Sequence, residues 1–186
     1  EWQRARIFQT VEDLYTQGYV MPFLMPMLEN AGAYVMSPRE RDTQRTEVII
    51  DNDGGSFAKG KFALTGDWSD AGKAAFGYTK ASLENGDHPF AEGTALKAQL
   101  SGKKDAATAT AEWKTAAPAD GDYAVYISYT PLPNSTDAAQ YKVYAADGEH
   151  TFTINQKMGG GTWIYLGHFP LRKYDGEKTV VELLNT

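Results

Sequence analysis

The second half of the chain contains the stretch Tyr123-Ala124-Val125-Tyr126-Ile127-Ser128-Tyr129. Successive side chains of a β-strand point to opposite faces of a sheet, so every second residue shares a face. One face would then carry tyrosine and aliphatic side chains, at positions 123, 125, 127 and 129. The other would carry Ala124, Tyr126 and Ser128. We expect the first face to lie in a core, so the stretch predicts a half-buried strand.

Similar short stretches lie on both sides of this one. Strands are predicted at 47–50, 56–64, 95–101, 106–113, 122–130, 139–146, 149–155, 162–169 and 178–184. Turn-forming residues separate them, and Asp147-Gly148 between two alternating stretches predicts a hairpin. No helix of useful length is expected after residue 47. Many short strands separated by turns are typical of a β-sandwich or barrel.

The first 46 residues have a different pattern. Apolar side chains recur there at spacings of three and four, which predicts helical structure over 3–31. Gly18 and Pro22 interrupt the run, so either two helices or one kinked helix would fit. A short strand over 33–36 follows. A lone helix and strand cannot form a core, so we expect this segment to dock on something else.

The opening residues Glu1-Trp2-Gln3-Arg4 do not have the pattern of a signal peptide, and we do not expect them to be a natural start. They predict that the chain is a piece of a longer protein, divided here into a segment 1–46 and a β module 47–186.

Composition excludes several classes of function. The formal net charge of −6 disfavours nucleic acid and anionic membranes as main partners, because phosphate binding needs clustered Lys and Arg. The chain has no cysteine, which excludes a disulfide scaffold, a thiolate metal site and a cysteine nucleophile. The sequence has no apolar run long enough for a transmembrane helix, so no membrane insertion is expected.

Several motifs in order resemble one family over nearly all of 47–186. They are Val48-Ile49-Ile50-Asp51-Asn52, then Phe57, Gly66 and Trp68, then 122–127, 141–144 and 152–156, and finally 160–167. This part resembles the golvesin C-terminal-like domain, also described as the carbohydrate-binding-like domain of bacterial xanthan lyases. The resemblance implies an accessory module of secreted bacterial proteins. The fold we expect is mainly β, an antiparallel, jelly-roll-like β-sandwich with an N-terminal helix-strand segment.

Residues 1–46 resemble part of a zinc-dependent N-acetylmuramoyl-L-alanine amidase. The residues that carry this second resemblance are Glu12, the turn 28–33, Val35 and the loop 39–42. It implies that Glu12 is one zinc ligand. A catalytic zinc needs about three protein ligands, and the histidines of that family would lie outside this chain. We therefore expect no cofactor in this chain, with zinc only in a longer parent protein.

Exposed aromatic rings are the first candidates for a ligand site, because a pyranose face packs on a ring. The candidates are Trp68, Trp113, Trp163, Tyr165 and Tyr126, together with Tyr78. Tryptophan and tyrosine in a sandwich also serve as core residues, so both roles stay open for these side chains.

Two further loops have candidate roles. Asp51 and Asp53 precede two glycines and could ligate calcium, although aspartates also bond backbone groups in ordinary turns. The run Gly159-Gly160-Gly161 lacks the Lys and Ser/Thr of a phosphate loop, so we expect tight backbone geometry there. No Ser-His-Asp order with a nucleophile elbow is present.

The leading hypothesis is a non-catalytic accessory module of a secreted, periplasmic or cell-surface bacterial protein. It would bind polysaccharide or peptidoglycan, or pack on an adjoining enzyme domain. One alternative is part of a zinc-dependent amidase, and another is a protein–protein interaction domain. Whether the chain is an enzyme stays open, although we expect no catalytic residues in it.

Overall fold

The computed structural model describes residues 47–54, 60–78, 88–103, 106–173 and 176–186. Nine strands lie in these ranges. They are β1 (Lys61–Thr65), β2 (Ser69–Ala75), β3 (Gly93–Lys97), β4 (Thr110–Thr115), β5 (Gly121–Ile127), β6 (Ala139–Ala145), β7 (Gly148–Ile154), β8 (Ile164–Leu171) and β9 (Lys178–Leu184). One turn of 3₁₀ helix, Pro89–Ala91, precedes β3.

Five of the strands form one antiparallel sheet in the order β1-β4-β9-β6-β7. The hairpin β6–β7 pairs Ala145 with Gly148 across the loop of Ala146 and Asp147. Gly148 takes a φ of 135°, a conformation that favours glycine. The hairpin predicted at Asp147-Gly148 is therefore confirmed.

The other strands form two antiparallel pairs, β2–β3 and β5–β8. β5–β8 faces the five-stranded sheet across the core. Its buried Val125, Ile127, Phe169 and Leu171 lie in one cluster with Tyr141, Val143 and Val181 of the sheet. Burying an apolar side chain of this size stabilises the fold by about 1.5–3 kcal/mol. Buried side chains of the β5–β8 pair and of the five-stranded sheet thus form one core.

The alternation read in the central stretch is confirmed. Val125 and Ile127 are buried, Tyr123 and Tyr129 are half-buried, and Ala124 and Tyr126 are exposed. The aromatic hydroxyls at the margin of the core keep partners: Tyr129 donates to the carbonyls of Asn155 and Met158 at 3.1 and 2.8 Å. Strand periodicity alone therefore assigned the faces of β5.

Asn185 ties the end of β9 to the loop before β4. Its amide oxygen accepts from the backbone N–H groups of Thr108 and Ala109, at 2.9 and 3.0 Å. Its amide nitrogen donates to the Gln99 carbonyl and the Thr108 hydroxyl. Asn185 is only 6% exposed, and four bonds meet the requirement that a buried amide be hydrogen-bonded.

The prediction of a mainly β, antiparallel protein is confirmed, with two errors in the strands. Residues 47–50 form no strand. The described structure also contains β2, which was not predicted, because Ser69–Ala75 has no β-branched or aromatic residue. Gly72 (φ 65°) and a register shift between Asp70 and Ala74 make this strand irregular, and only its pairing with β3 reveals it.

The predicted helix-strand segment over 1–46 lies outside the described residues, as do residues 56–59 of the strand predicted at 56–64. Within the described ranges, no helix is long and apolar enough to cross a membrane.

Candidate functional site

The outer face of β5–β8 carries two exposed tyrosines side by side. We call it the ribbon face, and it consists of Asp122, Ala124 and Tyr126 of β5 and Tyr165, His168 and Pro170 of β8. Tyr126 and Tyr165 are cross-strand partners, and each is 49% exposed. Their ring centroids lie 5.3 Å apart, with the ring planes at 47°. The pair gives the module an aromatic surface that the core does not use.

A bulge in β8 puts His168 on the same face as Tyr165. Val125 pairs with Gly167 but Tyr126 pairs with Tyr165, so Leu166 is the extra residue. Residues three apart in a regular strand point to opposite faces, and an extra residue reverses that relation. His168 thereby comes to lie opposite the exposed Ala124.

Gly167 is required at this bulge for two reasons. Its φ is 151°, which L side chains rarely adopt, and a Cβ there would lie 3.1 Å from Cζ of Phe169. Phe169 is buried with 4% exposure and cannot easily move aside. A glycine inside a strand pattern is a known mark of a bulge, so Gly167 is the signal that could have identified His168 from the sequence.

The side chains of Tyr165 and His168 contact each other. The Tyr165 hydroxyl is hydrogen-bonded to Nδ1 of His168, and the two rings lie 5.5 Å apart at 70°. Within the described ranges, Nε2 of His168 has no hydrogen-bond partner. This face therefore offers a polar ring nitrogen next to the stacked tyrosines.

An open depression of about 420 Å³ lies where the ribbon face ends. Its lining includes Asp120, Asp122, Asp147 and Arg172. Asp120 accepts a hydrogen bond from the backbone N–H of Lys173, and Asp147 pairs with His150 at 2.9 Å. The surface thus changes from aromatic at the Tyr126 end to polar at the Asp122 end.

Trp163 packs in an aromatic cluster. Its ring lies 4.6 Å from that of Phe76 and 5.9 Å from that of Phe90, which in turn lie 5.3 Å apart. Tyr78 stacks at 6.4 Å on Phe76. These contacts join the end of β2, the 3₁₀ turn and the start of β8, so the cluster stabilises the fold by ring packing.

The other two tryptophans lie elsewhere. Trp113 packs on the core and on Phe62, with 5.3 Å between the ring centroids. Trp68 is half-exposed in the loop between β1 and β2, where its indole N–H donates to the Thr65 carbonyl at 3.1 Å. Of the five ring candidates, the structure brings together only Tyr126 and Tyr165.

Asp51 and Asp53 bind backbone groups of distant segments. Asp51 accepts from the N–H of Tyr78 at 2.8 Å, and Asp53 accepts from the N–H of Thr94 at 2.6 Å. Asn52 between them donates to the Thr94 carbonyl at 2.9 Å. Burial raises the pKa of Asp51 above its ordinary value, although its backbone hydrogen bonds act in the opposite direction.

The calcium expectation for Asp51 and Asp53 and the zinc expectation for Glu12 stay predictions. Among the described residues, no group of three or more His, Asp or Glu side chains could hold a metal ion. Glu12, the zinc candidate, lies outside the described residues.

The expected backbone geometry of the glycine run is confirmed. Gly159 and Gly161 have positive φ values of 77° and 73°. A Cβ on Gly160 would lie 2.5 Å from the Tyr129 carbonyl oxygen.

Residues 90–186, more than half of the chain, match the family described as the Golvesin C-terminal domain. The chain belongs to this family. Golvesin C-terminal domains are found in secreted bacterial proteins, which supports an accessory module of such a protein. The match includes the whole ribbon face but not residues 1–46, so the amidase resemblance stays a prediction. No curated protein and no solved structure matches the chain.

Proposed function

We propose that the chain is a non-catalytic module that binds a polysaccharide or a peptidoglycan strand through the ribbon face. The observation that carries the proposal is the pair Tyr126 and Tyr165, in contact with each other and half exposed on the outside of a sheet. The two rings lie outside the buried core cluster. They are available to the apolar face of a sugar.

The polar groups beside the rings support the same proposal. Ligand sites combine apolar area with a few fixed polar groups that orient the ligand. His168 supplies one such group, and the carboxylate of Asp122 supplies another at the far end of the ribbon face. Sugar hydroxyls both donate and accept hydrogen bonds, so a glycan can use both groups.

The test is isothermal titration with soluble glycans, including xylan, laminarin, xanthan and solubilised peptidoglycan. Tyr126→Ala and Tyr165→Ala should each weaken binding at least about tenfold, which corresponds to about 1.4 kcal/mol. Both rings are half exposed, so thermal unfolding should change little. Leu64→Ala is the matched control, because Leu64 is 41% exposed on β1, in the other sheet.

Two results would contradict the proposal. One is that no glycan in the panel binds, and the other is that the tyrosine variants bind as the wild type does.

The same rings would also suit an adjoining enzyme domain, because tyrosine is enriched in protein interfaces. This second function predicts no glycan binding, with the tyrosine variants releasing the module from that domain of its parent protein. We further propose that the parent protein acts in the bacterial cell envelope, where such polymers occur.

A further inference from the structure

We propose that Tyr126, Tyr165 and His168 form a subsite for one sugar unit of a soluble, single glycan chain, and that the ribbon face does not bind crystalline polysaccharide. This inference rests on the proposed function and specifies its ligand. It follows from the spacing of the two rings, from their tilt, and from the hydrogen bond between Tyr165 and His168.

The spacing of the rings fits one sugar unit. The two centroids lie 5.3 Å apart, so the rings touch and act as one surface. A second stacking position would need another ring further along the ribbon face. The next outward residues are Ala124 and His168, and the small side chain of Ala124 leaves room for a chain to continue towards Asp122.

The tilt of the rings excludes a flat partner. The face of a crystalline polysaccharide is a plane, and rings that bind it must lie in one plane too. Tyr126 and Tyr165 are inclined by 47°, so only one of them could lie flat on such a surface. A single sugar unit can instead pack on the face of one ring while the other ring contacts its side.

His168 adds a polar ring nitrogen, Nε2, to the subsite. We assign to this pair the tautomer in which the Tyr165 hydroxyl donates to Nδ1 of His168, because a phenol is a stronger acid than a neutral imidazole N–H. The bond that one imidazole nitrogen makes decides the state of the other, so the proton is on Nε2. Nε2 therefore offers an N–H to a ring oxygen or hydroxyl oxygen of the sugar that stacks on Tyr165.

The experiment compares soluble and crystalline forms of the same polymer. Titration uses cellohexaose and chitohexaose, and sedimentation uses microcrystalline cellulose and crystalline chitin. The glycans that bind in the first panel are titrated in parallel. We expect binding to soluble chains only. His168→Phe should weaken it about tenfold, because the ring stays but the donor is lost, and His168→Gln should weaken it less, because its amide donates.

The outcomes separate this inference from the proposed function. If soluble glycans bind through Tyr126 but His168→Phe binds as the wild type does, the subsite is wrong and the proposed function stands. Tyr126-dependent binding to a crystalline polymer, equal to that of its soluble form, would also overturn the inference. If no glycan binds in either form, the proposed function fails and the subsite with it.

Discussion

The module has two outer faces, and they differ in how their side chains are used. The outer face of the five-stranded sheet, here called the sheet face, carries Glu112, Lys114, Lys142, Tyr144, Glu149 and Glu182. On the ribbon face, Tyr126 packs on Tyr165, Tyr165 packs on His168, and both tyrosines stay half exposed. Both faces are formed by strands whose side chains point alternately inward and outward. This alternation therefore does not account for the difference between the faces.

On the sheet face, the polar groups bind one another. Glu112 and Glu182 are direct cross-strand partners, an arrangement that destabilises a sheet when both are charged and unpaired. Glu112 accepts from Thr179 at 2.7 Å and pairs with Lys114 at 3.0 Å. Glu182 accepts from the Tyr144 hydroxyl at 2.6 Å. These hydrogen bonds and the ion pair occupy donor and acceptor groups that a ligand would otherwise contact.

This comparison shows why residue type alone is a weak guide to function here. A tyrosine occurs on both faces, but Tyr144 is bound to Glu182 while Tyr126 and Tyr165 are half exposed. The face proposed to bind a ligand is the one whose aromatic rings stay half exposed.

The largest effect is expected from removing the bulge that shapes the ribbon face. Gly167→Ala should lower the free energy of unfolding by about 1–3 kcal/mol, because the positive φ is strained for alanine and the new Cβ meets Phe169. Glycan binding should fall as well, since His168 and Tyr165 share a face only through the bulge. Urea unfolding and titration measure the two effects.

Gly121→Ala is the control for this variant. Gly121 lies on β5 of the same pair, and its nearest atom to a new Cβ is 3.9 Å away. It should keep both stability and binding. Equal stability of the two variants would contradict the role given to the bulge.

A smaller effect is expected from Tyr144→Phe on the sheet face. Losing the hydrogen bond to Glu182 should cost about 1 kcal/mol and leave glycan binding unchanged. Burial, with the bond to Glu182, raises the pKa of the Tyr144 phenol above its ordinary value of 10.0. The stability that this phenol contributes is therefore complete below about pH 10 and declines at higher pH. A Tyr144→Phe deficit in urea unfolding that does not shrink above that pH would argue against this account.

The smallest effect is expected from Glu112→Gln. The hydrogen bond from Thr179, and then that from Lys114, lowers the pKa of Glu112 below its ordinary value of 4.5. A lowered carboxyl pKa contributes stability above the ordinary value and loses it as the pH falls through the folded value. The variant should be about 0.5–1 kcal/mol less stable at pH 7. Chemical unfolding at pH 7 and pH 3 should show a smaller difference between the variant and the wild type at pH 3, and a constant difference would contradict this account.

Much of the fold was predictable because its signals are local. The alternation in β5 depends only on neighbouring residues, and so does the hairpin between β6 and β7. The sequence also identified Tyr126 and Tyr165 as candidates. It could not separate them from Trp163, because the rings that pack on Trp163, those of Phe76 and Phe90, are distant in the chain.

Other features depend on residues that are distant in the chain. Asp51 bonds to Tyr78 and Asp53 to Thr94, and no local pattern predicts such partners. β2 is recognisable only through its pairing with β3.

The sequence by itself determined that the chain is mainly antiparallel β and which residues of β5 turn inward. Only the tertiary structure decided that the rings of Tyr126 and Tyr165 stay exposed and that Nε2 of His168 lies beside them. The physical reason is that strand alternation is a property of neighbouring residues, whereas exposure is a property of what packs on top. The bulge at Gly167 depends on both kinds of information. Gly167 is a local feature of the sequence, but it places His168 on the ribbon face only through the register with β5.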